Sequence, residues 1–178
     1  MSDLPVPVVV DAETGRWSVD GQAMILIPRH YYVFIQMEME KRLGIAATAE
    51  LFAAATARAA RLWCEREAKT HGLGGSAVFR HYLRHLSARG YGRFEIEAID
   101  PAGGRAEIRL DHSCYALEYG AEAGRKTCYA FGGMFIGAME YLAAAAGAPS
   151  RGLVAEETRC LAAGDASCRF TVRPKLPA

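Results

Sequence analysis

The chain has 178 residues, 51% of them hydrophobic and 23% charged, with a formal net charge of +1. That is enough apolar material for a sizeable core in one domain spanning 1–178, and too little net charge to draw the chain to nucleic acid or an anionic membrane. The opening MSDLPVPVVVDAETG lacks the basic start and apolar run of a secretory leader, so a cytoplasmic protein is expected; five cysteines, an odd number, argue against a disulfide framework.

Along the chain, VPVVV and RWSVD read as two short strands around the turn DAETG. In AMILIPRHYYVFIQMEMEKRLG a short strand passes into a helix, with Pro28 at its first position and Gly44 at its end. Tyr32, Ile35, Met39 and Leu43 share one face of that helix, and Glu38, Lys41 and Arg42 the other. An alanine-rich helix follows from about Thr48 to His71, with Phe52, Ala55, Ala59 and Leu62 as an inner stripe and Arg58, Arg61 and Glu65 outside. Its small side chains permit close approach of another helix, either within the fold or across a dimer. GLGGS breaks it, and Ser76 caps a third helix that turns Phe79, Tyr82, Leu83 and Leu86 inward.

After RGYG the period changes to two. RFEIEAID and RAEIRLD around DPAGG predict a hairpin, and LVAEETRCLAAGDASCRFTV a second one. Between them HSCYALEYGAEAG leads into a helix from about Lys126 to Ala146, apolar nearly all round and therefore central. Glu140 and the glycines of that run argue against a membrane span. The order predicts an α+β fold: an antiparallel sheet built from two hairpins flanking a central helix, with the N-terminal helices packed against it. Residues 1–90 would hold the first hairpin and helices, and 91–173 the strand-strand-helix-strand-strand half.

Cys160 and Cys168 sit symmetrically about Gly164, which makes them cross-strand partners. Opposed Cβ atoms stand roughly 4.5–5.5 Å apart, wide for a disulfide at roughly 3.5–4.5 Å but suited to two thiolates on one zinc. Because Cys168, Phe170 and Val172 share the core face, two plain buried cysteines are the competing reading. Glu157, three residues before Cys160, and Cys128, opening the central helix, would complete a four-ligand set. Residues three apart on a regular strand face opposite ways, so Glu157 needs a bulge, and Glu156 is the alternative with the right parity. His112 and Cys114, in DHSCY, are further ligand candidates.

The aromatic residues suggest a pocket. Tyr31 and Tyr32 lie on the first helix, Trp63 on the second, Tyr82 and His85 on the third, and His112, Tyr115 and Tyr119 before the central helix. Each also reads as ordinary core packing. The basic run RHYLRHLSARGYGR reads as a solvated helix face carrying Arg80 and Arg84, and GLGG and GYG lack the context of a phosphate loop. No nucleophile–base order stands out. A zinc filled by four protein ligands has no open position and points to a structural role.

The segment CYAFGGMFIGAMEY and the closing Glu157-x2-Cys160-x7-Cys168-x-Phe170 resemble the 4-vinyl reductase domain family over about residues 91–173. That family includes the sensor domains of phenol- and xylene-responsive transcriptional activators and a protein linked to bacteriochlorophyll synthesis. The resemblance implies a zinc held by Cys128, Glu157, Cys160 and Cys168, a pocket for a small hydrophobic or aromatic molecule, and ligand contacts at His112 and Tyr115. The tract LAAAAGAPSRGLVAE is longer than in the sensors. The resemblance also implies a homodimer through the N-terminal helices. With no ATPase or DNA-binding domain in the sequence, it implies a partner protein that reads the ligand state. The expectation is a non-catalytic sensor, carrier or accessory protein. The alternative is an enzyme, or an enzyme's accessory, in the reduction or conversion of a small metabolite or tetrapyrrole, although no nucleotide or flavin fingerprint supports it. A third possibility is a scaffold like the related subunits of vesicle-tethering complexes, with Cys64 as the lipid-bearing candidate.

Overall fold

The computed structural model of the chain describes residues 6–148 and 152–175. Of the tract Leu142–Glu156, residues 149–151 lie outside that description, as does the MSDLP start.

A small antiparallel meander opens the fold: β1 (Val8–Val10), β2 (Trp17–Val19) and β3 (Gln22–Met24). Three helices follow, α1 (Arg29–Leu43), α2 (Ile45–His71) and α3 (Ser76–Ala88). The hairpin β4 (Arg93–Asp100) and β5 (Arg105–Asp111) leads through a six-residue helix α4 (Cys114–Tyr119) into α5 (Ala130–Ala145). β6 (Leu153–Arg159) and β7 (Cys168–Pro174) close the chain. The four long strands make one antiparallel sheet in the order β4-β5-β7-β6, so the two hairpins join through β5 and β7, with Ile108 opposite Phe170 and Leu110 opposite Cys168. This is the expected α+β architecture, with two hairpins flanking a central helix.

Alternation separates the faces of the sheet. Ala106, Ile108, Leu110, Cys168, Phe170 and Val172 are buried under the helices. The opposite face carries ion pairs, among them Arg169–Glu97 and Arg109–Glu95. α5 packs against β6 and β7, α3 against β4, α2 across α5, and α1 against α2 and α4. The α2–α5 crossing is tight because α5 presents Gly133 and Gly137 to the backbone of Ala53 and Ala57. The small-residue seam thus lies inside the fold.

Local patterning misplaces two helix faces. On α2 the inward residues are Phe52, Thr56, Ala60, Trp63, Cys64 and Glu67, while Ala55, Ala59 and Leu62 face outward. Polar residues take inner positions there because they have partners: Thr56 Oγ1 donates to the carbonyls of Phe52 (2.6 Å) and Ala130 (3.1 Å). On α1 the buried residues are Val33 and Gln36, with Ile35 and Leu43 exposed. Gln36 Nε2 donates to the Thr127 carbonyl at 2.9 Å and the Tyr119 hydroxyl at 3.2 Å, which satisfies the amide nitrogen, while Oε1 is buried without a partner. α5 begins at Ala130, so Cys128 lies just ahead of it. Pro28 precedes the first turn of α1, and Ser76 is the first helical residue of α3, after Gly75.

Candidate functional site

Cys128, Glu157, Cys160 and Cys168 come together in the core, all buried, although they enter from the start of α5, the end of β6 and the start of β7. The sulfur–sulfur distances are 3.8 Å (Cys128–Cys160), 3.6 Å (Cys128–Cys168) and 3.9 Å (Cys160–Cys168). None of these is a disulfide. Ligands at a zinc–sulfur bond length of ~2.3 Å stand about 3.8 Å apart along the edges of a tetrahedron, and the three sulfurs already have that spacing.

Glu157 joins them through a bulge. Glu157 pairs with the buried Phe170, and the β6–β7 register slips by one residue between Glu157 and Arg159, so Glu157 and Cys160 both face inward while Glu156 stays exposed. Its Oε2 accepts the Cys128 amide at 2.9 Å, and its Oε1 is buried with no partner. An orphaned buried carboxylate oxygen beside three sulfurs fits the donor set of a divalent cation. Burial, and then the Cys160 sulfur, pushes the Glu157 carboxyl up to about 9. Burial also raises the Cys128 thiol well above its ordinary value, while hydrogen bonds with Cys128 and Cys168 lower Cys160. A divalent ion would displace the protons that Glu157 and Cys128 hold.

Around this set, Ser113 Oγ lies 3.0 Å from Cys128 Sγ and accepts the Ala116 amide at 3.4 Å, which leaves its proton free for the sulfur. The Leu161 amide donates to Cys168 Sγ at 3.4 Å. Asp165 Oδ2 accepts the Cys160 amide at 2.8 Å and fixes the turn. Ser113 also caps α4, whose first residue, Cys114, lines a cavity on its other side, so a short covalent link joins the two features.

That cavity, of about 490 Å³, lies between the meander and the helices. Val19 and Met24 come from the strands, Ile25–Pro28 from the approach to α1, Tyr32 from α1, and Tyr91 and Cys114 from the far side. Its size and apolar walls suit a small organic molecule; pockets for such ligands span about 300–1,000 Å³. Arg29 and Arg89 also line it, and the Arg89 guanidinium lies over the Tyr91 ring at 5.8 Å. Burial raises the Tyr32 and Tyr91 hydroxyls and pushes the Cys114 thiol up to about 11, so these three side chains are neutral beside the two arginines.

Of the eight aromatic and histidine candidates, Tyr32 lines this cavity. Tyr115 is fully buried behind it, at 5.7 Å between ring centroids, and its hydroxyl has no partner. Tyr119 is half-buried beneath the Arg125 guanidinium. Trp63, Tyr82 and His85 pack on one another away from the cavity, and Tyr31 lies exposed on the outer side of α1. His112 is exposed at φ 56, where it bends the chain from β5 into α4, and it belongs neither to the cavity lining nor to the sulfur cluster. Cys64 is closed off within α2, and burial pushes its thiol up to about 12, so it is a packing residue. The cavity walls from Val19 to Ile27 had one local signal, the apolar run AMILI.

Among the described residues no helix is long and apolar enough to cross a membrane. The structure is similar to the phenol-responsive sensory domain of the transcription activator PoxR, solved with phenol. The TM-score is 0.77 at 19% identity, over 94% of this chain and 84% of that one. It is also similar to a trafficking protein particle complex subunit 3 from Naegleria fowleri covalently bound to palmitic acid, with a TM-score of 0.52 at 12% identity, over 83% of this chain and 95% of that one. Both likenesses establish the fold. No curated protein matches. A family model described as a domain of unknown function (DUF5943) matches residues 3–97, covering the meander, the three helices and the start of β4. With more than half of its length matched, the chain belongs to the DUF5943 family.

Proposed function

We propose that the chain works as one domain, a non-catalytic small-molecule-binding module of the sensor or accessory kind, akin to the 4-vinyl reductase domains. The observation that carries this reading is the apolar cavity of about 490 Å³ on a fold shared with a phenol-responsive sensory domain. A small aromatic or hydrophobic molecule would lie between Val19, Met24 and Tyr32, with the unpaired Tyr115 hydroxyl behind Tyr32 as a polar contact at the inner end.

Cys128, Glu157, Cys160 and Cys168 would hold a zinc ion. It would supply a structural clamp between the second hairpin and α5, with no open position for chemistry. Cys64 and Cys114 are neutral thiols without an activating base, which supports a binding role over a catalytic one. The apolar outer side of α1, with Tyr31, Phe34 and Ile35 exposed, would seat a second copy of the chain. A partner protein in the cytoplasm would read the ligand state.

Thermal-shift measurement with phenol and a series of alkylphenols tests the binding reading. At least one member should raise the unfolding midpoint, and Val19→Trp, which fills the cavity, should abolish the shift. No shift across the series, or an equal shift in the variant, overturns it.

A further inference from the structure

A second group of donors lies where α2, α3 and the meander meet. Glu67 and His71 are one turn apart on α2, His81 and His85 one turn apart on α3, and Asp20 arrives on the β2–β3 turn. Glu67 is fully buried. Its Oε2 lies 2.9 Å from His81 Nε2 and 3.3 Å from His71 Nε2, and its Oε1 accepts from Gln22 Nε2 at 2.5 Å. His71 Nε2 lies 3.4 Å from Asp20 Oδ2.

Hydrogen bonds account for Glu67 and for both nitrogens of His81, but not for His85. His85 is 8% exposed, and its Nδ1 is buried with no partner. Three imidazoles are stacked closely, with centroids 4.9 Å (His71–His81) and 4.3 Å (His81–His85) apart, an arrangement that repels once they are protonated. Candidate ligand atoms of Glu67, His71 and His81 lie within 4.8 Å of one another, as do those of Asp20, Glu67 and His85. Donors at a metal bond of ~2.1 Å stand about 3.0 Å apart in an octahedron and about 3.4 Å in a tetrahedron, close to the 2.9, 3.3 and 3.4 Å separations of the Glu67–His81, Glu67–His71 and Asp20–His71 pairs.

We propose that Glu67, His71 and His81 form a second metal site, completed by Asp20 or His85, for a divalent transition ion that favours imidazole and carboxylate, such as Zn²⁺, Co²⁺ or Ni²⁺. The thiolate set is closed and buried, whereas this site has one exposed ligand, His71, and exchanges its ion with solvent. A bound ion would tie the meander, through Asp20, to both helices. One local contact opposes it: the Arg84 guanidinium lies 2.9 Å from His81 Nδ1. A metal on Nε2 requires the imidazole proton on Nδ1, so Arg84, an exposed residue, swings into solvent as the ion enters.

The test is a Co²⁺ titration of the full chain preloaded with one equivalent of Zn²⁺, followed by visible absorption and calorimetry. One further Co²⁺ per chain should bind with weak d–d bands and without sulfur-to-cobalt charge transfer. His71→Ala, an exposed change that spares the fold, should weaken that binding at least tenfold, and Arg84→Ala should tighten it. Binding with only the charge-transfer absorption of a thiolate site, binding in His71→Ala equal to that of the unaltered chain, or weaker binding in Arg84→Ala overturns the proposal.

Discussion

At Thr158 one extra residue in a strand decides which carboxylate joins the sulfurs. The bulge brings Cys160 round to the face that Glu157 shares with Ala155, and Glu156 is left outside, 3.9 Å from Arg173. A glutamine at 157 keeps the bulk and the acceptor for the Cys128 amide but removes the negative charge. Glu157→Gln should therefore weaken zinc at least tenfold while destabilising the metal-free protein little. In the unaltered chain, a metal held at a thousandfold excess over its Kd adds about 4 kcal/mol, so stripping it with a chelator should lower the thermal midpoint by roughly 10 °C. Cys168→Ser should unfold near the stripped value with or without zinc. Metal analysis and thermal melts check all three; zinc content in Glu157→Gln equal to that of the unaltered chain rejects the fourth ligand.

Among the elements, the α2–α5 pair is the most constrained. A Cβ at Gly137 would fall against the Ala57 carbonyl, 2.7 Å from its carbon, where the obstacle is backbone and cannot rotate away. At Gly132 the nearest atom is the Ala155 Cβ at 3.2 Å, a contact that yields by a small shift. Gly137→Ala should lose about 1–3 kcal/mol despite the gain in helix propensity, and Gly132→Ala should lose less, as read from urea midpoints. The hairpins and α5 were legible in the sequence because alternation and an all-round apolar helix are local patterns. The inner faces of α1 and α2 were not. Gln36, Thr56 and Glu67 turn inward to partners at Thr127, Ala130 and His81, and no window along the helix contains those partners. The cysteines of the second hairpin were legible from their symmetry about Gly164. Glu157 was singled out by its nearness to Cys160 and by the resemblance, although alternation counted back from Cys160 points to Glu156. The donors of the second cluster were written at four-residue spacing, Glu67 with His71 and His81 with His85, but only the fold sets the two pairs face to face.

For the molecule as a whole, the outer side of α1 is the surface the proposed dimer would use. Phe34 is 49% exposed beside Tyr31 and Ile35, a concentration of apolar surface that a second copy would cover. Phe34→Glu should convert the dimer to a monomer in sedimentation velocity while leaving the thermal midpoint of the folded chain nearly unchanged; a monomeric unaltered chain rejects the dimer. The meander has a different consequence. Its strands are three residues each, and its ties to the helices are the polar contacts of Gln22 and Asp20. Such a segment opens at lower free energy than the four-stranded sheet. Because it forms one wall of the cavity, entry of the proposed ligand would wait on that opening, and its rate would level off as concentration rises. Residence time would then depend on how firmly Asp20 and Gln22 are held, so a change at either should alter it without altering any residue the ligand touches.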